Sequence, residues 1–438
     1  MLRKIGFTVF VFVAALTGAG AYFRAQGAAI PGLPLPQIPG RLDQAVAARD
    51  SVAAAELVSA RCGLLWLKDR RACYEDFFLD LVRRDQVRLA MGTLALLGSR
   101  DPQVRRFGHD FSHVIGINAW NPQKDIGAVY TQCSEIFQSG CYHGVIQAFF
   151  AFQGTDSASV ARLCRDTPGI RESHWLVFQC VHGIGHGLVQ TYTMNLPRAL
   201  HGCDMLGSAW DSESCYGGAF MEFIVGGRGQ SHHVHPKAAP DSAAEHDHAA
   251  MGHARVADTW PAFKPRNPQD LQYPCSALGE RYQRACYQMQ AGLIAEVTGL
   301  DFARIASVCG TAPERWRRWC YQGIGTYVSG VTSRDPEEGV KLCMLGAPRY
   351  RPFCIVGLVK NFVDVTAKTE DGIALCKRLG LEDLALSCYH AVGEEAGVLY
   401  PSMDRRSEAC AKADSRYVAA CRYGAGLSSE RPPGLPGG

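Results

Sequence analysis

Histidines recur in three consecutive segments of this chain at a spacing that suits metal binding. The stretches His109-Asp110-Phe111-Ser112-His113 and His182-Gly183-Ile184-Gly185-His186 each place two histidines four residues apart. Residues i and i+4 of an α-helix lie on one face, so either pair could chelate a transition-metal ion. His143 lies between the two pairs, and Glu222 extends the same band into the next segment. The pattern therefore favours a band of metal-binding histidines.

Helix packing limits which of these residues can share one ion. Packed helices lie about 8 to 10 Å apart, so imidazoles on adjacent helices can reach one metal. Helices two steps apart cannot share an ion unless the array curves tightly. We therefore predict two sites. The first consists of His109, His113 and His143, and the second of His182, His186 and Glu222.

Two other interpretations of these histidines remain open. They could form a structural network of hydrogen bonds, or they could serve a metal-dependent enzyme. His109-Asp110-x-x-His113 resembles the two-histidine-plus-acid arrangement of zinc peptidases, with Asp where those enzymes have Glu. The shorter side chain reaches less far towards a metal-bound water, which disfavours a peptidase, and we predict no catalytic residue.

A second group of histidines occupies an insertion from Gly226 to Phe263 that has few large apolar residues. This composition predicts a disordered loop. Six imidazoles within 22 residues could capture Cu, Zn or Ni loosely. The alternative is a polar spacer that is rich in histidine without binding metal. These histidines are His232, His233, His235, His246, His248 and His253.

Eighteen cysteines fall into nine pairs at a nearly constant interval. The second cysteine follows the first by 8 to 16 residues, and from Cys275 onward the first cysteines recur every 33 or 34 residues. That period is typical of solenoids built from helix pairs. A further repeat, in which Leu96 and Phe107 take the places of the cysteines, brings the predicted number to about ten. The predicted disulfides are Cys62-Cys73, Cys133-Cys141, Cys164-Cys180, Cys203-Cys215, Cys275-Cys286, Cys309-Cys320, Cys343-Cys354, Cys376-Cys388 and Cys410-Cys421.

Residues 335 to 366 illustrate how one repeat should fold. Pro336 opens a predicted helix that includes Cys343, a turn with Gly and Pro follows, and a second helix runs from about Phe353 to Val365. Antiparallel helices joined by a short loop bring the two cysteines within the ~4.4 to 6.8 Å between Cα atoms that a disulfide requires. Each bridge would staple one hairpin and stabilise it by roughly 2 to 3 kcal/mol.

The N-terminal sequence predicts export from the cytosol. Met1 to Lys4 carries two positive charges, and Gly6 to Phe23 is uncharged and apolar. Such a segment is a signal peptide or, if it is not cleaved, a membrane anchor. Paired cysteines in an exported chain indicate disulfides in a periplasmic or secreted protein. Metal–thiolate sites would need cysteines two to four residues apart, and the sequence has no such pair.

These features predict the organisation of the whole chain. We expect a signal peptide or N-terminal membrane anchor over 1–27, a Pro-rich linker over 28–44 and repeats one to five over 45–225. The His-rich insertion over 226–263 separates them from repeats six to ten over 264–427 and a disordered tail over 428–438. The net charge of +3 and the sequence pI near 8.1 are too mild to indicate a nucleic-acid partner. Contact with a membrane is expected only through an uncleaved N-terminal segment.

Residues 320–327, Cys-Tyr-Gln-Gly-Ile-Gly-Thr-Tyr, with the trailing Gly330 and with Ala199-Leu200 ahead of Cys203, resemble the Sel1-like family of αα-repeat proteins. The resemblance is to the secreted, cysteine-rich branch, and it covers most of the chain in period and cysteine placement. It implies an all-α solenoid of disulfide-stapled hairpins whose groove could bind a protein partner or a peptide.

The sequence thus predicts an exported, disulfide-rich α-solenoid that binds a transition metal through histidines on adjacent repeats, for metal acquisition, delivery or storage. The main alternative is a protein-interaction scaffold in which the histidines are structural. A metal-dependent enzyme is the second alternative.

Overall fold

The computed structural model describes residues 38–63, 65, 67–154, 157–226, 260–261, 263–264, 266–332, 335–380 and 382–436. The predicted N-terminal segment 1–27, most of the predicted linker and all six histidines of the insertion lie outside these residues. The described residues are all-helical, as the sequence predicts. Among the helices that they form, none has both the length and the apolar character needed to cross a membrane.

The described residues form twenty α-helices, numbered here in chain order. The first eleven are α1 Ile38–Ala48, α2 Ser51–Cys62, α3 Leu67–Arg83, α4 Val87–Arg100, α5 Pro102–Ala119, α6 Ile126–Tyr130, α7 Gly140–Gln153, α8 Ser157–Asp166, α9 His174–Thr191, α10 Leu196–Asp204 and α11 Ala209–Gly226. The other nine are α12 Glu280–Thr298, α13 Phe302–Gly310, α14 Glu314–Val331, α15 Pro336–Cys343, α16 Arg351–Thr366, α17 Thr369–Leu379, α18 Ala385–Leu399, α19 Met403–Ala411 and α20 Val418–Gly424.

Short polar side chains begin many of these helices. Asp335 accepts hydrogen bonds from the backbone N–H groups of Glu337 and Glu338, and a proline takes the first position of α15. Helix α15 consequently spans Pro336–Cys343, as predicted. Its partner α16 spans Arg351–Thr366, which is two residues earlier at its start and one later at its end than the sequence predicts.

All nine predicted cysteine pairs lie at disulfide distance, with Cα atoms 5.5 to 5.8 Å apart. Most of the bridges tie the end of a first helix to the first turns of the second helix of the same hairpin. In the sixth repeat a short 3-10 turn at Cys275–Ala277 takes the place of the first helix. The pair formed by α4 and α5 is the repeat without cysteines.

That repeat lies in a different register from the predicted one. Gly116 on α5 packs so closely on α7 that a Cβ there would lie 2.1 Å from the carbonyl oxygen of Cys141. The equivalent glycine of a later repeat, Gly325, follows its second cysteine by five residues. By this register Phe111 holds the cysteine position, and it is 2% exposed, whereas Phe107 is only half-buried. The prediction for Phe107 was wrong by one helical turn, because an apolar residue stands on both turns.

The helices form two compact units. The first reaches to Ile115 and the second begins at Gly116, so the division falls inside α5 and not at the insertion. Within the second unit the repeats on either side of the insertion pack directly together. The rings of Tyr216 on α11 and Tyr282 on α12 meet edge to face with centroids 5.2 Å apart. The insertion therefore interrupts the sequence without interrupting the helix array.

Three predicted boundaries need correction. Helix α1 begins at Ile38, inside the segment 28–44 predicted to be a linker. Phe263, at the end of the predicted insertion, packs against Phe223 and Tyr273 with ring centroids 5.8 and 5.3 Å apart. Leu435, in the predicted disordered tail, is only 9% exposed. In each case the prediction followed the composition of the whole segment, but individual apolar side chains within it pack against other residues.

In the second unit, several pairs of consecutive second helices approach each other through glycines. A Cβ on Gly393 of α18 would lie 2.0 Å from the carbonyl oxygen of Cys421 on α20, and a Cβ on Gly424 would lie 2.2 Å from the carbonyl oxygen of His390. No Cβ fits at such distances, so glycine sets the helix separation here. Gly185 and Gly218 form a second such pair, and Gly325 and Gly357 form a third. In each pair, either glycine faces a backbone carbonyl oxygen on the helix that carries the other glycine.

The second unit also makes contacts over long sequence separations. Trp175 on α9 donates from Nε1 to Oδ1 of Asp364 on α16 at 2.9 Å, across 189 residues. His174 Nδ1 lies 2.7 Å from the carbonyl oxygen of Val398 on α18, across 224 residues. The second helices of the fourth, eighth and ninth repeats therefore meet, so the array of this unit is strongly curved.

Charged side chains meet where α16 and α18 pack, and Glu395 is buried among them. Lys360 Nζ lies 2.8 Å from Oε2 of Glu394 and 3.6 Å from Oε1 of Glu395. Burial raises the pKa of Glu395 to about 8, an effect that Lys360 reduces and that Asp364 and Glu394 reinforce. At neutral pH Glu395 is therefore mostly protonated, and Lys360 forms its ion pair with Glu394.

Two glycines of α18 provide a matched test of the close helix packing. Gly393→Ala should lower the free energy of unfolding by about 3 kcal/mol, because α18 and α20 must separate to admit the methyl group. Gly397→Ala has no atom within 4 Å of the new Cβ and should raise stability by up to about 1 kcal/mol through helix propensity. Urea unfolding of both variants measures the difference, and equal stabilities would contradict the packing argument.

Glu395→Gln should change how stability depends on pH. The pKa of Glu395 is higher in the folded than in the unfolded chain, so the fold holds a proton that it loses as pH rises towards 8. Wild-type protein should lose up to a few kcal/mol relative to the variant between pH 5 and pH 8.5 through this group. Urea unfolding at both pH values checks this. Glu408→Gln, at an exposed position of α19, serves as control and should follow the wild-type curve.

Candidate metal centre

Residues 182–187 of helix α9 are His-Gly-Ile-Gly-His-Gly, and the glycines bring its neighbours close. A Cβ on Gly183 would lie 3.0 Å from Cβ of Ile146 and 3.4 Å from Cα of His143, both on α7. A Cβ on Gly185 would lie 2.0 Å from the carbonyl oxygen of Cys215 on α11. Residues two positions apart on a helix point about 200° apart, so α9 contacts α7 on one side and α11 on the other. His182 and His186 flank these two glycines, and His186 consequently contacts both His143 on α7 and Glu222 on α11.

Three buried imidazoles meet at the seam between α7 and α9. His143, His182 and His186 are 2%, 7% and 1% exposed. Each offers one ring nitrogen such that the three nitrogen atoms lie within 4.8 Å of one another. The ring of His143 stacks on that of His186 at 4.8 Å between centroids, and it lies 4.7 Å from that of His182. We refer to these three residues as the histidine cluster.

A buried carboxylate orients His186. Oε2 of Glu222 on α11 lies 2.9 Å from Nδ1 of His186 and accepts a hydrogen bond of 3.0 Å from Nε2 of Gln147. Its other oxygen, Oε1, accepts a hydrogen bond of 3.2 Å from Nε2 of Gln190. With Nδ1–H donating to the carboxylate, the lone pair of His186 lies on Nε2.

A second chain of hydrogen bonds orients His143. Gln179 on α9 donates from Nε2 to Oδ1 of Asp364 at 3.3 Å, so its carbonyl oxygen Oε1 is the atom that faces Nε2 of His143 at 2.9 Å. His143 therefore donates from Nε2, and its lone pair lies on Nδ1. Burial raises the pKa of Asp364 to about 6, although the hydrogen bond from Trp175 and the charge of Lys360 oppose the effect.

The donor set fits a first-row transition metal. Neutral imidazole nitrogens bind Zn, Cu and Ni, and metal–nitrogen bonds of ~2.0 to 2.1 Å place tetrahedral ligands about 3.3 Å apart. The ligand atoms of the cluster need only small side-chain rotations to reach that spacing from separations of at most 4.8 Å. Ligating histidines usually donate their other N–H to a carboxylate or a carbonyl oxygen, as His186 and His143 do here.

The structure groups the predicted ligands differently from the sequence prediction. His182, His186 and Glu222 do lie together, but His143 joins them, and Glu222 stands behind His186 with its oxygens occupied by hydrogen bonds. His109 lies in the first unit and His143 in the second, so the predicted site of His109, His113 and His143 stays a prediction.

Within the first unit, the rings of His109 and His113 lie 4.6 Å apart. The carboxylate of Asp110, predicted to be the weak counterpart of a peptidase glutamate, lies 3.3 Å from Nη2 of Arg71. Arg71 also places its guanidinium carbon 4.6 Å from the ring centroid of Phe107. The acid thus has a structural ion-pair partner. The six histidines of the insertion lie outside the described residues.

Sequence reasoning missed the residues that orient the histidines. Gln179 lies one position before a cysteine and three before His182, where its role cannot be distinguished from that of a surface residue. Asp364 lies 185 residues further along the chain, and only the curvature of the array brings it to Gln179. Gln147 could have been suspected, since it lies four residues after His143 and hence on the same helix face.

Comparison with models of protein families, with curated proteins and with solved structures finds no match to this chain.

Removal of Glu222 tests this network without any metal. Glu222→Ala leaves three donors, on His186, Gln147 and Gln190, without their acceptor in a buried place, and should lower the free energy of unfolding by about 2 to 4 kcal/mol in the presence of a chelator. Glu213→Ala, at a half-buried position of the same helix, should change it by less than about 1 kcal/mol. Equal losses measured by urea unfolding would show that the network adds no stability.

Proposed function

We propose that this protein binds one first-row transition-metal ion, Cu, Zn or Ni, in the histidine cluster of His143, His182 and His186, and that it acquires, delivers or stores this metal outside the cytosol. The observation that carries the proposal is the geometry of three buried imidazoles whose ligand atoms lie within 4.8 Å of one another. Hydrogen bonds to Glu222 and Gln179 support it, because they give His186 and His143 tautomers with a lone pair for a metal.

The compartment agrees with this proposal. Nine disulfides indicate an oxidising, extracytoplasmic environment. They also consume every cysteine, so no thiolate competes with the imidazoles for the metal. Soft thiolate ligands favour Cu(I) and iron–sulfur clusters, whereas imidazole suits Zn, Cu and Ni in their divalent states.

Burial favours holding a metal over catalysis at this cluster. A catalytic metal needs a ligand position that a substrate can reach. The three histidines are at most 7% exposed, and Glu222 behind them is 1% exposed. We therefore place metal carriage or storage ahead of a metal-dependent enzyme. We also propose that a Sel1-like solenoid groove binds a protein partner, because delivery of the metal requires a recipient.

Metal analysis of tag-free, full-length protein tests the proposal. The six histidines of the insertion, which could bind metal loosely, are first replaced by Asn. This variant should retain about one metal ion per chain after dialysis, and at 100 times the dissociation constant the ion should raise stability by about 2.7 kcal/mol. Adding His182→Ala and His186→Ala should abolish both effects, because two of the three ligands are lost.

His201→Ala is the matched control. This histidine lies on α10, its side chain is 57% exposed, and it is outside the histidine cluster. It should leave the bound metal unchanged, and circular dichroism confirms that each variant is folded. If the variant without loop histidines binds no metal at micromolar concentration near pH 7, the cluster is a structural network and the interaction scaffold becomes the better interpretation.

A further inference from the structure

Cationic side chains from three consecutive repeats lie near one another in the second unit, and none of them belongs to the histidine cluster. Arg284 on α12 and Arg318 on α14 each lie two residues before a second cysteine, so they hold the same position in neighbouring repeats. Their guanidinium carbons lie 4.4 and 4.6 Å from the ring centroid of the same residue, Trp319. Lys360 follows on α16, in the next repeat. The indole holds both guanidinium groups in place.

These two arginines differ from their neighbours in their partners. Arg315 and Arg317 on α14 pair with Glu280 at 2.6 Å and Glu314 at 3.0 Å. Within the described part of the chain, neither Arg284 nor Arg318 forms an ion pair with a carboxylate, and the buried Nε of Arg318 has no hydrogen-bond partner. Donor groups of both guanidiniums are thus available to a ligand.

The local charge balance is positive. Burial lowers the pKa of Arg318, and the charges of Arg284 and Arg431 lower it further, so these like charges are close enough to repel. Glu394 is the carboxylate that opposes them, and it already pairs with Lys360 at 2.8 Å. Asp364 lies further along α16 and accepts hydrogen bonds from Trp175 and Gln179. Because Glu395 is mostly protonated at neutral pH, two carboxylates face four cations.

We propose that Arg284, Arg318 and Lys360 form a binding site for an oxyanion with two or more negative charges, of the phosphate or polycarboxylate class. Guanidinium groups bind such anions through pairs of parallel N–H···O hydrogen bonds. Stacking on Trp319 fixes both forks before the anion arrives, which reduces the entropy that binding must overcome. The anion would replace like-charge repulsion between the two arginines with attraction. This site uses none of the proposed metal ligands.

Isothermal titration of the full-length protein at low ionic strength, with inorganic phosphate in one arm and citrate in the other, tests the site. Wild-type protein should bind at least one of the two anions. Arg284→Gln with Arg318→Gln should weaken that binding by about 10- to 100-fold, because charge-assisted hydrogen bonds are lost. Arg315→Gln with Arg317→Gln, on the same helix as Arg318 but paired with glutamates, should retain the wild-type affinity.

The outcomes distinguish the two ligand classes, and two of them would overturn the proposal. Binding of phosphate alone identifies a phosphate site, and binding of citrate alone identifies a polycarboxylate site. If wild-type protein binds neither anion at millimolar concentration, or if both double variants bind as wild type does, the site does not exist. The single variant Arg284→Gln, at an exposed position, should show a smaller loss and guards against misfolding of the double variant.

Discussion

The close approach of consecutive second helices is the constraint on which the second unit depends. At several of these contacts a glycine faces a backbone carbonyl at a distance that excludes any Cβ, as Gly218 does at the carbonyl oxygen of His182, where a Cβ would lie 1.9 Å away. Such contacts fix both the separation and the register of the helices. On α9, Gly183 packs more loosely on α7, where a Cβ would lie 3.0 Å from Cβ of Ile146 and 3.4 Å from Cα of His143. The imidazoles beside these glycines must therefore meet, and the histidine cluster is a consequence of the packing.

Close packing also buries polar side chains that then need partners. Glu222 is 1% exposed and accepts hydrogen bonds from two glutamines while it contacts His186. A carboxylate buried at this place without hydrogen-bond donors would lower the stability of the folded protein, so the groups that donate to Glu222 stabilise the fold. The same hydrogen bonds decide which nitrogen of His186 carries a lone pair. The hydrogen bonds that stabilise the fold therefore also give His186 a lone pair for a metal. A structural histidine network and a metal site consequently share the same geometry.

The sequence predicted the features that depend on local geometry. Cysteine spacing predicted every disulfide partner at bonding distance, and Pro336 predicted where α15 begins. The register of the repeat without cysteines was missed, because Phe107 and Phe111 are both apolar and one turn apart. The contact of α9 with α16 and α18 could not be predicted, since it depends on small rotations between repeats that accumulate along the array. Asp364 enters the site only through that curvature, which brings it to Gln179.

Asp364 connects the curvature of the array to the geometry of the histidine cluster. Its Oδ1 accepts hydrogen bonds from Trp175 at 2.9 Å and from Gln179 at 3.3 Å, both on α9. The first of these bonds holds α9 against α16. The second fixes the amide of Gln179 so that its oxygen faces His143. If the array opened between α9 and α16, Gln179 would lose the contact that sets its orientation, and His143 would lose the preference for one tautomer. The curvature of the helix array in the second unit is therefore part of the candidate metal centre, although no candidate ligand comes from the eighth repeat.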